Sequence, residues 1–407
     1  MNDISDESLA ELRGALRLAG AGIDAAAAVT QDMHRAISAK PFGVLAQVPA
    51  GQVARRVHDG VRDGVYACVR GVSRGVFAVV DGVLAHAGPA VQPRRRLPGP
   101  LVGLLQGVVG DHIARARNPL AADMQLRQRP GSAQPLSLTR EALCAALPDA
   151  GPWPTVLVHG LAADESCWQI GATKTWGRPD LDYGALLAQR RGVTPLYLRY
   201  NSGLRIAENG RALAALLEQL VDAWPVPVRG LVLLGHSMGG LVVRSACHHG
   251  RVADAAWTRQ VRDIICLGAP HRGAPLEKFG AAAVGALAFF DVTAPIARAI
   301  DARSAGIKDL RHGKIHDDDA DQLPLPGARY HDLAGTLGRK GNPLGWVLGD
   351  GLVRPASATP TRASRDPQNS HHSDSSDIRA TRIAGVGHLS MLSHPAVLAW
   401  LEAALAE

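Results

Sequence analysis

The sequence predicts an α/β fold: a mostly parallel, doubly wound sheet preceded by a helical region. Three observations carry that expectation. Past residue 152, short apolar runs alternate with amphipathic segments of helix length, which is the pattern of strands joined by crossover helices. One of those apolar runs passes directly into Gly-x-Ser-x-Gly. The first ~130 residues instead carry apolar side chains at helical spacing and few strand-like runs.

Size and composition agree with this division. A chain of 407 residues, 46% hydrophobic and 20% charged, suits one large core plus an appendage of about 100–150 residues. It is too apolar to be globally disordered. The net charge of +7 is an arginine effect: of 44 basic residues, only Lys40, Lys174, Lys278, Lys308, Lys314 and Lys340 are lysines. Aromatic residues make up only 4%, which speaks against a nucleic-acid surface of interleaved bases and rings. The five cysteines (Cys68, Cys144, Cys167, Cys247, Cys266) form no Cys-x-x-Cys, so they are expected to be buried thiols rather than a zinc or disulfide framework. Apolar runs such as Leu97–Gly110 are too short to span a bilayer. The N-terminus is acidic where a secretory signal would be basic, so a cytoplasmic location is the default expectation.

The division expected is a helical region over 1–130, a linker over 131–151 and the α/β domain over 152–407. In the first part Leu9, Leu12, Leu16, Leu18 and Ile23 follow helical spacing. Between His58 and Val83 five Gly-Val pairs recur, and small residues four apart permit close helix packing. The alternative is a helix lying on a membrane, with Arg62, Arg70 and Arg74 meeting phosphates. Strands are expected at Thr155–Val158, Thr194–Leu198, Gly230–Leu234, Ile264–Gly268, Arg329–Ala334 and Thr381–Val386. Helices are expected at Tyr183–Arg191, Ile206–Ala223, Leu241–His249 and Pro395–Ala406.

The chemistry is concentrated in Leu231-Val-Leu-Leu-Gly235-His236-Ser237-Met238-Gly239-Gly240-Leu241. A buried strand, a tight turn and a helix in this order make a nucleophile elbow. The turn strains the serine backbone and leaves room only for small residues two before and two after it. Gly235 and Gly239 meet that requirement, and Ser237 then stands at the positive end of a helix dipole.

With this segment in hand, the chain resembles the α/β-hydrolase superfamily, specifically bacterial lipase/esterase-like members related to the GPI inositol-deacylase-like group. Val156-Leu-Val-His159-Gly160-Leu161, with Trp168 downstream, resembles the family's His-Gly oxyanion loop. Arg199-Tyr200-Asn201-Ser202-Gly203 resembles the segment before the helix that precedes the elbow strand, and Gly268-Ala269-Pro270-His271-Arg272-Gly273 resembles its Gly-Thr-Pro-His-x-Gly stretch, with Ala269 for threonine. The resemblance covers roughly residues 152–404.

It implies a sheet of the α/β-hydrolase type with a lid insertion, and a serine hydrolase cleaving carboxylic esters through an acyl-serine intermediate. A thioesterase or acyltransferase on the same triad, or a non-catalytic membrane-associated scaffold, are the alternatives. The family's Ser–acid–His order implies Asp350, in Gly349-Asp350-Gly351-Leu352-Val353, and His388, in Gly385-Val386-Gly387-His388. Asp332 and Asp291 compete for the acid and His394 for the base, while His371 and His372 read as exposed. The resemblance places the oxyanion amides at Leu161 and Met238.

No cofactor and no metal are expected. The run Asp317-Asp318-Asp319 with Asp321 lacks the spacing of a calcium loop. Residues 276–325 form the candidate lid, its uncharged first half ending in Phe289-Phe290 as the substrate-facing or lid residues; a helical excursion packed on the core is the other reading. The expected partner is a small-molecule or lipid ester and not a nucleic acid, with peripheral membrane contact through the N-terminal helices or the lid. The N-terminal region is expected to be dispensable for the chemistry.

Overall fold

The structure is a computed structural model of the full chain. It describes residues 9–24, 27–28, 31–32, 35, 49–86, 99–273, 304–316, 324–338, 350, 352–359 and 378–406. These fall into two compact units. One comprises the described residues up to His86 with Ile113–Ala121; the other comprises Gly99–His112 and the described residues from Ala122 on.

In the smaller unit a helical stretch over 9–24 runs against α1 (Pro49–His86). Their pairing is antiparallel. Arg13 and Arg17 both reach Asp81, Arg74 holds Asp24, and Arg70 donates to Gln31. Arg62 is taken up by Asp59 and Asp63. The arginines read from sequence as candidates for lipid phosphates each have a polar partner within the chain, with Arg74 largely exposed in its pair. The repeated glycines face no described residue closely: among the described residues a Cβ at Gly60, Gly64, Gly71 or Gly75 would meet nothing within 4 Å. Among the described residues no helix is long and apolar enough to cross a membrane.

The larger unit is built on seven strands: β1 (Gln125–Arg127), β2 (Pro154–Val158), β3 (Thr194–Arg199), β4 (Leu231–His236), β5 (Val261–Leu267), β6 (Arg329–Thr336) and β7 (Ile378–Ala384). Their order is β1-β3-β2-β4-β5-β6-β7. Every pairing is parallel except that of β1, which lies antiparallel on β3 with Leu126 opposite Leu198. The strand chemistry explains why both faces are covered. Successive side chains point to opposite faces, so Val156, Val158, Leu196, Leu198, Leu231 and Leu233 share one apolar cluster. Leu157, Tyr197, Val232 and Leu234 belong to the other. The first cluster is closed by α5 (Ile206–Ala223) and α6 (Met238–Val252), the second by α4 (Tyr183–Arg191) and α8 (Pro395–Ala406).

This unit starts well before residue 152. The linker segment holds α3 (Arg140–Ala146), capped by Thr139 and anchored by fully buried Leu143. The edge strand β1 and the greater part of α2 (Gly99–Arg115), kinked at Val109, also belong to it. Of the candidate lid, the described portion is α7 (Ala305–His312) and its flanks. It is packed on the core: Leu310 is fully buried, Asp309 accepts the Ile206 N–H at 3.1 Å, and Ser245 donates to the Ile315 carbonyl. Phe289 and Phe290 lie outside the described residues. One thiol departs from expectation. Cys167, Cys247 and Cys266 are buried, but Cys144 is exposed on α3; the Cys68 side chain is outside the described residues.

Candidate active site

Ser237 stands between β4 and α6 at φ 54, ψ −125. A non-glycine residue rarely adopts positive φ, and such strain persists only where its surroundings enforce it. Here the Ser237 N–H donates to the Leu267 carbonyl at 2.8 Å and its own carbonyl accepts the Gly240 N–H at 3.0 Å. The flanking glycines are required by contact. A Cβ at Gly235 would lie 2.5 Å from Gly240, and one at Gly239 would run into the carbonyls of Val158 and His159. Met238, the first residue of α6, is fully buried.

Asp350 and His388 reach this edge of the sheet from the loops after β6 and β7. His388 Nδ1–H donates to Asp350 Oδ2 at 2.7 Å, and the His388 backbone N–H donates to the Asp350 carbonyl at 2.9 Å. The other carboxylate oxygen, Oδ1, accepts the N–H groups of Leu352 (3.0 Å) and Val353 (2.7 Å). Burial raises the Asp350 pKa, but the bond to His388, its charge and the two amides outweigh burial and hold the carboxyl below its ordinary value. Gly268, at φ 60, keeps the space beside the pair open: a Cβ there would come within 3.2 Å of Asp350 Oδ2 and 3.3 Å of the His388 ring.

The competitors are engaged elsewhere. His394 starts the last helix, its Nδ1 accepting the Ala396 N–H at 3.2 Å and its backbone N–H bonded to the Tyr183 hydroxyl at 2.8 Å. Asp332 accepts from His271 Nε2–H at 3.1 Å, and His271 Nδ1 in turn accepts from Arg244 at 2.8 Å. Cys266, His271 and Asp332 lie close enough together to suggest a metal group. Both nitrogens of His271 are already occupied, and one faces a guanidinium, which makes a poor cation site. Asp291, Asp317, Asp318, Asp319, Asp321, His371 and His372 are outside the described residues.

His236, to which the sequence reading gave no role, and Trp168, noted there only beside the His-Gly loop, pack against each other next to His388. His236, the variable residue before the serine, packs its ring 4.8 Å from that of His388 and donates Nε2–H to the His388 carbonyl at 3.1 Å. Complete burial, with the nearby His388, pushes its pKa down to about 3, so the ring is neutral. Trp168 meets His236 edge-on at 6.4 Å. The loop after β2 approaches from the other side. Gly160 is so close that a Cβ would lie 3.1 Å from that of Ser237, and Leu161 is half-buried against the core. His159 stacks on Tyr200 at 4.3 Å, and Tyr200 donates its hydroxyl to the His159 carbonyl.

The sheet order, the strand–Ser237–helix turn and the loops that follow β6 and β7 are those of one fold class. Residues 210–284 match the family model described as PGAP1-like alpha/beta domain, a segment that runs from within α5 through the elbow and past β5. The larger unit has a fold of the α/β-hydrolase type. No curated sequence matches the chain at a significant level. Solved structures similar to it include the mature lipase BlEst2 of Bacillus licheniformis, 22% identical over 62% of this chain and 91% of that one, with a TM-score of 0.40. The phospholipase PlaB of Legionella pneumophila is 14% identical over 63% and 60%, TM-score 0.40. The RedJ thioesterase of Streptomyces coelicolor is 17% identical over 63% and 91%, TM-score 0.36.

Proposed function

We propose that the protein is a serine hydrolase that cleaves carboxylic esters through an acyl-serine intermediate. A serine hydroxyl needs a base, and the base needs an orienting acid. The observation that carries the reading is the 2.7 Å bond from His388 Nδ1–H to buried Asp350. It fixes the imidazole tautomer that leaves Nε2 unprotonated, on a ring packed against the residue that precedes Ser237.

In the first half-reaction the Ser237 oxygen forms a bond to the ester carbonyl carbon while its proton passes to His388 Nε2. The carbonyl oxygen becomes an oxyanion, met by the N–H groups of Leu161 and Met238, the latter at the positive end of α6. Collapse breaks the bond to the alcohol oxygen, which leaves with the His388 proton. Water then repeats the sequence on the acyl-serine: it gives its proton to His388, and Ser237 regains that proton as the acid departs. Asp350 remains ionised throughout and stabilises the imidazolium.

The test is Ser237→Ala in the full chain, with hydrolysis of p-nitrophenyl esters and covalent labelling by a fluorophosphonate as readouts. Turnover is expected to fall on the order of 10⁴–10⁶ and labelling to vanish, with the melting temperature kept. Near wild-type hydrolysis by Ser237→Ala would overturn the mechanism.

A further inference from the structure

The ester-hydrolase reading asks the Leu161 N–H to point at one place, and the loop that carries it is shaped by residues far from it in sequence. Both ends of this loop are pinned: β2 holds one, and Asp164, whose side chain caps the turn beginning at Glu165, holds the other. Between them Ala162 sits at φ 58, a conformation that a residue with a β-carbon keeps only under constraint. Two contacts supply the constraint. Ser202, fully buried, accepts the Ala162 N–H on its hydroxyl at 3.0 Å. On the other side α2 lies against the loop through glycines, where a Cβ at Gly103 would stand 2.5 Å from the Ala163 carbonyl oxygen and one at Gly107 2.6 Å from the Ala162 nitrogen.

Helix α2 is itself tied down beside them. Asn201 donates to the Gly110 carbonyl at 2.9 Å while its own Oδ1 accepts the Gly203 N–H, and Ser304 donates to the Gly107 carbonyl at 2.7 Å. With both loop ends fixed, any relaxation of Ala162 toward negative φ must be absorbed by rotating the peptides around Leu161. On the ester-hydrolase reading, that rotation would turn the Leu161 N–H away from the oxyanion.

We propose that Ser202 and Gly107 are positioning residues of the oxyanion site: the Ser202 hydroxyl and the Cβ-free surface of α2 at Gly107 clamp the Leu161–Ala162 segment in its donating conformation. The proposal rests on the ester-hydrolase reading above. It makes part of the N-terminal third a component of the catalytic centre, where the sequence alone suggests a dispensable appendage.

The experiment compares full-length Ser202→Ala and Gly107→Ala with wild type and with Gly184→Ala. In that control a Cβ would run into Tyr197 and Pro195, away from the loop. The readouts are kcat and KM on p-nitrophenyl butyrate, affinity for an alkyl boronic acid that forms a tetrahedral adduct on serine, and melting temperature. Misplacing one oxyanion donor is expected to lower kcat about 10- to 100-fold, with boronate affinity falling by a similar factor and KM moving little. Gly184→Ala should lose melting temperature and keep its boronate affinity. The proposal is overturned if Ser202→Ala and Gly107→Ala bind boronate as wild type does, or if Ser202→Ala does so where Gly107→Ala fails to fold. The underlying reading fails separately: in that case Ser237→Ala would hydrolyse the ester as well as wild type.

Discussion

Asp350→Asn tests the orienting role proposed for this carboxylate, because the structure dictates how the new amide must sit. Oδ1 of Asp350 accepts two backbone N–H groups, from Leu352 and Val353, and Oδ2 faces His388 Nδ1. An asparagine keeps its one carbonyl oxygen on the two amides, since turning the NH2 toward them would set donor against donor in a buried site. Its NH2 is then directed at His388 Nδ1, which must become an acceptor. The ring proton moves to Nε2, the nitrogen that should take the serine proton. Turnover is expected to fall about 10⁴-fold, which corresponds to about 5.4 kcal/mol of transition-state stabilisation at 1.36 kcal/mol per tenfold.

Folding changes little by comparison, because all three hydrogen bonds persist and only their charge assistance is lost. The carboxyl is held below its ordinary value of 3.8. Its contribution to stability is therefore complete above that value and is lost as pH falls through the lower folded one; the variant loses that part of the acid sensitivity. The assay is kcat on p-nitrophenyl butyrate beside a thermal melt at neutral pH. A variant within tenfold of wild-type turnover would refute the tautomer argument.

Two further outcomes follow from the buried groups around Ser237, Asp350 and His388. His236 has its pKa pushed from 6.5 to about 3 by complete burial, so the unfolded chain binds one more proton than the folded chain between those values. Stability is complete above pH 6.5 and falls toward pH 3, by about 2.7 kcal/mol over the first two units. His236→Gln can still donate to the His388 carbonyl, and it should flatten that slope by one proton in melts taken from pH 7 to 4.5; an unchanged slope would assign the acid sensitivity to other groups. Asp332→Asn should cost about 1–3 kcal/mol of stability, through its bond to His271 beside Arg244, and leave kcat within a few-fold. A loss of turnover as deep as that of Asp350→Asn would exchange the roles of the two aspartates.

Local chemistry was legible in the sequence, and contacts across long stretches of chain were not. The elbow is one such local feature: strand, Gly235, Ser237, Gly239 and helix are consecutive, and the steric demand that selects the glycines acts within a few residues. The alternation that separates Val156 and Val158 from Leu157 is local too, which is why six strands were expected within a few residues of where they form. The seventh, β1, has only three residues, and it exists because Leu126 finds Leu198 across the sheet edge; no periodicity can develop over so short a run. The same limit hid the neutral His236 at the unspecified position of Gly-x-Ser-x-Gly. It also hid α2, which the sequence places within the N-terminal appendage. Its Gly103 and Gly107 face backbone 60 and 55 residues further along the chain, at Ala163 and Ala162. The sequence by itself determined the fold class and the position of Ser237, and its resemblance to a family's motif order made Asp350 and His388 the candidate acid and base. Only the tertiary structure decided what those groups touch, because a 2.7 Å bond between Asp350 and His388, or the absence of room for one Cβ, is a property of chain segments brought together by folding.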